Sequence, residues 1–187
     1  EAIALRQRYN FAPGFANSPG ARAALAVQAL KLGLSQVVSV RIGDVTDTHF
    51  VGNAPHSRWI MPGLEAFIAL LDDLRRSPHP EGGTFLDHTT VVGFSEFSRT
   101  PLFNSFGGRD HHPSGSLMLI GAGIRPGVVA GASSDSGMPP MPWDIPNNRP
   151  APMGETIKPE NIAATLLASV GVSSSRLTAQ PIRAVLA

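Results

Sequence analysis

Apolar residues along this chain fall into helical and strand-like runs separated by polar loops. Residues 21–34, ARAALAVQALKLGL, are rich in Ala and Leu, lack proline and follow the start signal Asn17-Ser18-Pro19-Gly20, so they predict a helix. VVSVRI at 37–42 is a short β-branched run that predicts a buried strand. It empties into the polar loop GDVTDTHFVGN, which holds Asp44, Asp47, His49 and Asn53. Leu64, Phe67, Ile68, Leu71 and Leu74 recur at three- and four-residue spacings and predict a helix over 60–76, ended by Ser77-Pro78. Strands are expected at 89–94 (TTVVGF) and 116–124 (SLMLIGAGI). Residues 126–158 hold most of the prolines and read as an irregular excursion, with room for a short strand at 127–130. PENIAATLLASV at 159–170 predicts a helix opened by Pro159, burying Ile162, Leu166 and Leu167 and capped by Gly171.

Helices that alternate with apolar strands imply an α/β fold, with a mixed, mostly parallel sheet flanked by helices in a single domain. In such sheets ligands sit beyond the carboxyl ends of strands. Two polar loops leave strands here. One carries Asp47 and His49, and the other carries Glu96 and Arg99. Both are therefore expected at one sheet edge.

Composition narrows the partners. The 187 residues carry 15 basic and 14 acidic side chains, a net charge of +1 with no long like-charge run, which argues against a nucleic-acid partner held by bulk electrostatics. No apolar run reaches the roughly 18 residues a membrane span needs. Cysteine is absent, so any metal must be held by His, Asp and Glu. The chain opens on Glu1 rather than Met, which is the expectation for a processed product or a fragment.

Only 16% of the chain is charged, yet residues 95–113, SEFSRTPLFNSFGGRDHHP, gather Glu96, Arg99, Arg109, Asp110, His111 and His112. Asp47-Thr48-His49 fits two readings. In one, a carboxylate oxygen and an imidazole nitrogen meet a single divalent cation; in the other, Asp47 caps local backbone N–H groups and His49 is merely exposed. His111 and His112 are ligand candidates with Asp110 able to fix an imidazole tautomer, or else a surface pair. Adjacent side chains on an extended chain point apart, so one of the two would face a given ion. Glu96, between Phe94 and Phe97, needs a cation, either a metal or Arg99. Arg99 and Arg109 present planar forks suited to phosphate, sulfate or carboxylate. His79 and His88 look like ordinary loop residues, His56 sits just ahead of a helix, and Trp59 and Trp143 read as packing residues.

Taken in order, DTH (47–49), SEFSRTP (95–101), GGRDHHP (107–113) and NIAATLLASVGV followed by QPI resemble the bacterial family called "domain of unknown function 1501". That family looks like a branch of the alkaline phosphatase and sulfatase superfamily. The resemblance runs from about residue 37 to the end and implies an alkaline phosphatase-like fold, of which this chain is similar to a C-terminal half. It further implies a metal-dependent hydrolase of phosphate or sulfate esters on small molecules or polymers. Asp47 and His49 would match the first-metal ligands, His112 or His111 the later histidine, and Glu96 a second-metal carboxylate, with Arg99 and Arg109 neutralising charge. The ion would be Zn, Mn, Mg or Ca. Relatives carry export signals, which implies a secreted or periplasmic location. Two departures stand out. Phe97 replaces a ligand histidine of the related phosphatases, and nothing before residue 37 resembles the superfamily's nucleophile element, which a separate N-terminal chain or fragment would have to supply. The alternative expectation is a catalytically degenerate fold that serves as a cell-surface binding or assembly component.

Overall fold

Three helices build the first of two units in the computed structural model, which describes residues 2–14, 17–43 and 46–187. This unit comprises Glu1–Asp87 and Phe103–Asp110. Helix α1 spans Ala2–Arg8, α2 Pro19–Lys31 and α3 Asn53–Arg76. The Ser18 hydroxyl accepts from the Ala21 N–H at 3.2 Å and starts α2, as its sequence signal predicts. Small residues are buried on α2 (Ala21, Ala23, Ala24, Ala26, Val27), which packs against α3, where Ala66, Phe67, Leu70 and Leu74 are buried. Helix α3 begins seven residues before its periodic stretch. Pro55 is tolerated in the first turn, where N–H groups have no intrahelical acceptor anyway, so an unpatterned polar start still folds as helix.

Asp73 ties the three helices together. Its fully buried carboxylate accepts from the Tyr9 hydroxyl at 2.8 Å, Lys31 Nζ at 3.1 Å and the Ser77 hydroxyl at 3.0 Å, and it pairs with Arg8. Burial pushes its pKa up, but the bonds from Tyr9, Lys31 and Ser77 outweigh that and hold it below the ordinary value of 3.8. Burial and the neighbouring carboxylate drive the Tyr9 phenol in the opposite direction, well above its usual range.

The run at 37–42 forms no strand, and Val37 is 85% exposed. β-branched residues favour extended backbone, but a strand also needs a partner for its N–H and C=O groups, and these residues join no ladder among the described residues. Asp44, in the loop that follows, lies outside the described residues.

The second unit comprises His88–Leu102 and His111–Ala187. Strand β1 (Thr90–Phe94) pairs antiparallel with β4 (Leu117–Gly121), and β2 (Ser98–Arg99) pairs antiparallel with β3 (His111–His112). Three residues, 95–97, separate β1 from β2, and four, 113–116, separate β3 from β4, so the register slips by one residue between the ladders. A third antiparallel pair joins β5 (Trp143–Asp144) to β6 (Arg149–Pro150). The fold is thus mixed α/β, but the expected mostly parallel pairing is not what these strands form. A parallel pair needs a long crossover, usually a helix, and the chain from β1 to β4 contains the short β2–β3 ladder instead. The Pro-rich excursion is irregular apart from β5 and β6, and no strand forms at 127–130, where Val129 is 82% exposed.

Helix α4 (Pro159–Ser169) starts at Pro159, and Gly171 takes φ +72° just beyond its end, both as the sequence predicts. Its most buried residues are Asn161, Ala164 and Thr165 rather than the apolar trio. Asn161 donates to Gln180 O at 2.9 Å, while the Thr165 hydroxyl accepts from Ile182 N–H at 2.9 Å. These bonds seat Ile182 and Val185 against Trp143 and Ile145, with Ile162 packed alongside. Trp143 is a packing residue, as expected; Trp59 stays 40% exposed.

Replacing Asp73 with Ala leaves Lys31 and the Tyr9 hydroxyl without their acceptor. Urea denaturation is expected to show a loss of about 3 kcal/mol, against about 1 kcal/mol for Tyr9→Phe. Because the folded pKa is depressed, the Asp73 contribution is present above pH 3.8 and disappears as pH falls through the lowered value. The difference between wild type and Asp73→Asn should therefore shrink on acidification; a constant difference would contradict the assignment.

Candidate functional site

The DTH loop of the first unit is built around one carboxylate oxygen. Asp47 Oδ1 accepts from the His49 N–H at 3.1 Å and contacts the His49 ring at Nδ1. A carboxylate at that position holds the ring proton on Nδ1 and puts the ligating lone pair on Nε2. Asp47 thus caps a local backbone N–H, as one of the two sequence readings expects, and the same oxygen also contacts the imidazole. Asp47 is 58% exposed and the His49 side chain 30%, while Thr48 between them is buried. The Thr48 hydroxyl finds no hydrogen-bond partner among the described residues, a cost this loop retains.

A second segment of the same unit, 103–110, locks the loop. Arg109 N–H donates to Thr48 O at 2.9 Å. Gly108 is buried, and a Cβ there would run into the carbonyl groups of Thr48 and His49. Only a residue without a side chain lets the two backbones come this close. Asn104 N–H donates to Gly108 O at 2.8 Å and Gly107 N–H to Asn104 O at 3.1 Å, which closes a tight turn. The Asn104 side chain reaches His49 O at 3.0 Å and Asp110 Oδ1 at 2.8 Å. The Arg109 guanidinium lies 4.5 Å from the Phe103 ring centre, and Phe50 meets Phe106 edge to face at 5.4 Å. Asp47, His49, Arg109 and Asp110 thus share one hydrogen-bonded frame.

Glu96, Arg99, His111 and His112 belong to the second unit. Glu96 is exposed, with the Ser95 hydroxyl 3.3 Å from its Oε2, so its carboxylate carries none of the burial cost that the neighbouring phenylalanines suggested. Pairing sets Arg99 opposite His111 and Ser98 opposite His112. The His111 ring stacks on Phe97 at 3.8 Å, and the Arg99 guanidinium sits 5.3 Å from the same ring. His112 uses both ring nitrogens: Nδ1 accepts from Ser114 N–H at 3.2 Å, and Nε2 donates to Gly137 O at 2.8 Å. A metal at His112 would have to displace one of these bonds.

His79 Nδ1 accepts from Glu81 N–H at 3.2 Å and its ring meets Phe85 at 4.8 Å, a turn-forming role. Asn104 has no counterpart among the candidates read from the sequence. The signal was present in the Asn-Ser-Phe-Gly-Gly run, because an asparagine ahead of a glycine pair commonly closes a turn with its side chain.

The donor set fits a hard or borderline divalent cation, with an imidazole nitrogen oriented by a carboxylate on a braced loop. The two residues of this loop alone do not fill a coordination shell.

A family model described as "Protein of unknown function (DUF1501)" matches residues 1–184. No curated protein and no solved structure matches the chain.

Gly108→Ala should cost about 2 kcal/mol by thermal or urea denaturation, because two carbonyl groups must move to admit the methyl group. Gly107→Ala, at φ +73° with open space around it, should cost only about 1 kcal/mol of backbone strain. Equal losses at the two positions would contradict the close approach.

Proposed function

Starting from a chain that belongs to the DUF1501 family of proteins of unknown function, we propose that it supplies the metal-binding half of a metal-dependent hydrolase of phosphate or sulfate esters. The observation that carries this reading is the Asp47–His49 pair, a carboxylate on an imidazole in a loop braced by Asn104, Gly108 and Arg109. On this reading His49, through Nε2, begins the shell of a divalent ion, Zn, Mn, Mg or Ca, and Asp47 holds the ring from the Nδ1 side. From the order of the motifs alone, Glu96 and His111 or His112 are further ligand candidates. When bound, such an ion polarises the ester oxygen and lowers the pKa of a nucleophile beside it.

The chain's own part is positional and electrostatic. Asp47 holds the His49 ring in one tautomer and adds negative charge beside the ion. Arg109, its guanidinium set over the Phe103 ring, is the cation for an anionic ester, and Arg99 is the corresponding cation of the β2–β3 ladder. The alkaline phosphatase-like fold and the secreted or periplasmic location are part of this proposal. They rest on the order of the DTH, SEFSRTP and GGRDHHP motifs, not on strand pairing.

A second reading, a degenerate fold that binds or assembles without catalysis, is favoured by specific contacts. Phe97 stacks on His111, and both nitrogens of His112 are already bonded to backbone.

Titration calorimetry with Zn²⁺ and Mn²⁺ on the full chain separates the readings. Stoichiometric binding is expected, weakened ten- to a hundred-fold or more in His49→Ala and Asp47→Ala. Chelator-sensitive turnover of a generic phosphate or sulfate monoester would support the hydrolase. Metal binding without turnover would favour the second reading, and unchanged metal content in both variants would overturn the metal assignment.

A further inference from the structure

We infer that Asn104 is a positioning residue of this site, and that its carboxamide sets where the His49 imidazole stands relative to Asp110. The inference rests on the metal reading above for its functional meaning, but its geometry is independent of that reading. Asn104 uses its entire hydrogen-bonding capacity. Oδ1 accepts from Phe106 N–H and Gly108 N–H, each at 3.0 Å, while Nδ2 donates to His49 O at 3.0 Å and Asp110 Oδ1 at 2.8 Å. Only one orientation of the amide works, because turning it over would set its NH₂ against two N–H donors and its oxygen against two acceptors.

The two ends of the carboxamide do different jobs. The oxygen shapes the 104–108 turn and so brings Gly108 against the carbonyl groups of Thr48 and His49. The nitrogen bridges the imidazole-bearing loop to the Asp110 carboxylate, across fifty-five residues of sequence on one side and six on the other. A fully satisfied, partly buried amide has no slack, so a change at Asn104 is transmitted to His49 rather than absorbed. Outer-shell bonds orient metal ligands, and losing one typically costs ten- to a hundred-fold in metal affinity; this one acts through the His49 backbone carbonyl, while Asp47 holds the ring itself.

Asn104→Asp isolates the second job. It keeps an oxygen for the turn N–H groups, removes the donor to His49 O and sets a carboxylate against Asp110. Two readouts apply to the full chain: hydrogen exchange at the His49 and Arg109 amides, and Zn²⁺ affinity by calorimetry. In Asn104→Asp we expect exchange at both amides to quicken tenfold or more and Zn²⁺ to bind ten- to a hundred-fold more weakly, with the amides around Leu74 unchanged. The double change Asn104→Asp/Asp110→Asn restores the 104–110 donor–acceptor pair with its polarity reversed but returns no donor to His49 O, so it removes the carboxylate repulsion while exchange at the His49 amide should stay quickened. Asn104→Ser, which retains only a short acceptor, should behave like the single Asp variant and replaces it if that chain fails to fold. His49 exchange within twofold of wild type in the single variants, or its return to the wild-type rate in the double variant, would overturn the inference. If the wild-type chain binds no Zn²⁺, the metal reading fails while the exchange arm still decides the role of Asn104.

Discussion

Within the first unit, the closeness of Gly108 to the carbonyl groups of Thr48 and His49 is the constraint from which the candidate site follows. A side chain at 108 would hold the 103–110 segment away from the DTH loop. The Arg109–Thr48 backbone bond and both Asn104 bonds to this region depend on that segment lying flat against it. Chemistry-bearing groups more than fifty residues apart in sequence share a frame because one glycine has no Cβ. Asp47 then does the local work, using one oxygen both to cap backbone and to orient a ring.

Each unit has its own means of holding its elements in place. In the first, a single buried carboxylate gathers three helices, and its charge is sustained by Lys31 and Arg8 together with two hydroxyl donors. An ion pair taken out of water gains little net stability; its value lies in fixing which residues meet. In the second unit, antiparallel pairing aligns β1 with β4, and buried Asn161 and Thr165 of α4 anchor the segment that packs on Trp143. Polar groups in these interiors specify arrangement, and apolar burial supplies the driving force.

Much of this was legible in the sequence where local chemistry decides the outcome. The Ser18 cap, Pro159, Gly171 and the apolar spacing of α3 each act within a turn or two of themselves, and each appears where expected. Features that depend on a distant partner were not legible. VVSVRI has strand propensity, but a ladder requires a neighbour that the run itself does not encode. The direction of β-pairing is set by the connection between strands, and strand composition is silent on it. Asp73 looks like one more solvated helix acid until α1 and α2 close over it, and Asn104 looks like a loop residue until four partners surround it. For the candidate ligands, composition identified chemistry that merits attention, but it had no means of showing that both nitrogens of His112 would be taken by backbone while the ring of His49 would be held by a carboxylate.

The proposed function requires a divalent ion at the DTH loop, ligated by His49. The most direct measurement is anomalous diffraction from crystals of the full chain grown with Zn²⁺, with data on both sides of the zinc absorption edge. A strong anomalous peak is expected within bonding distance of the His49 ring, about 2 Å from its nitrogen, and is expected to disappear in His49→Ala crystals. Fully occupied zinc elsewhere, with the DTH loop carrying none, would contradict the proposed function.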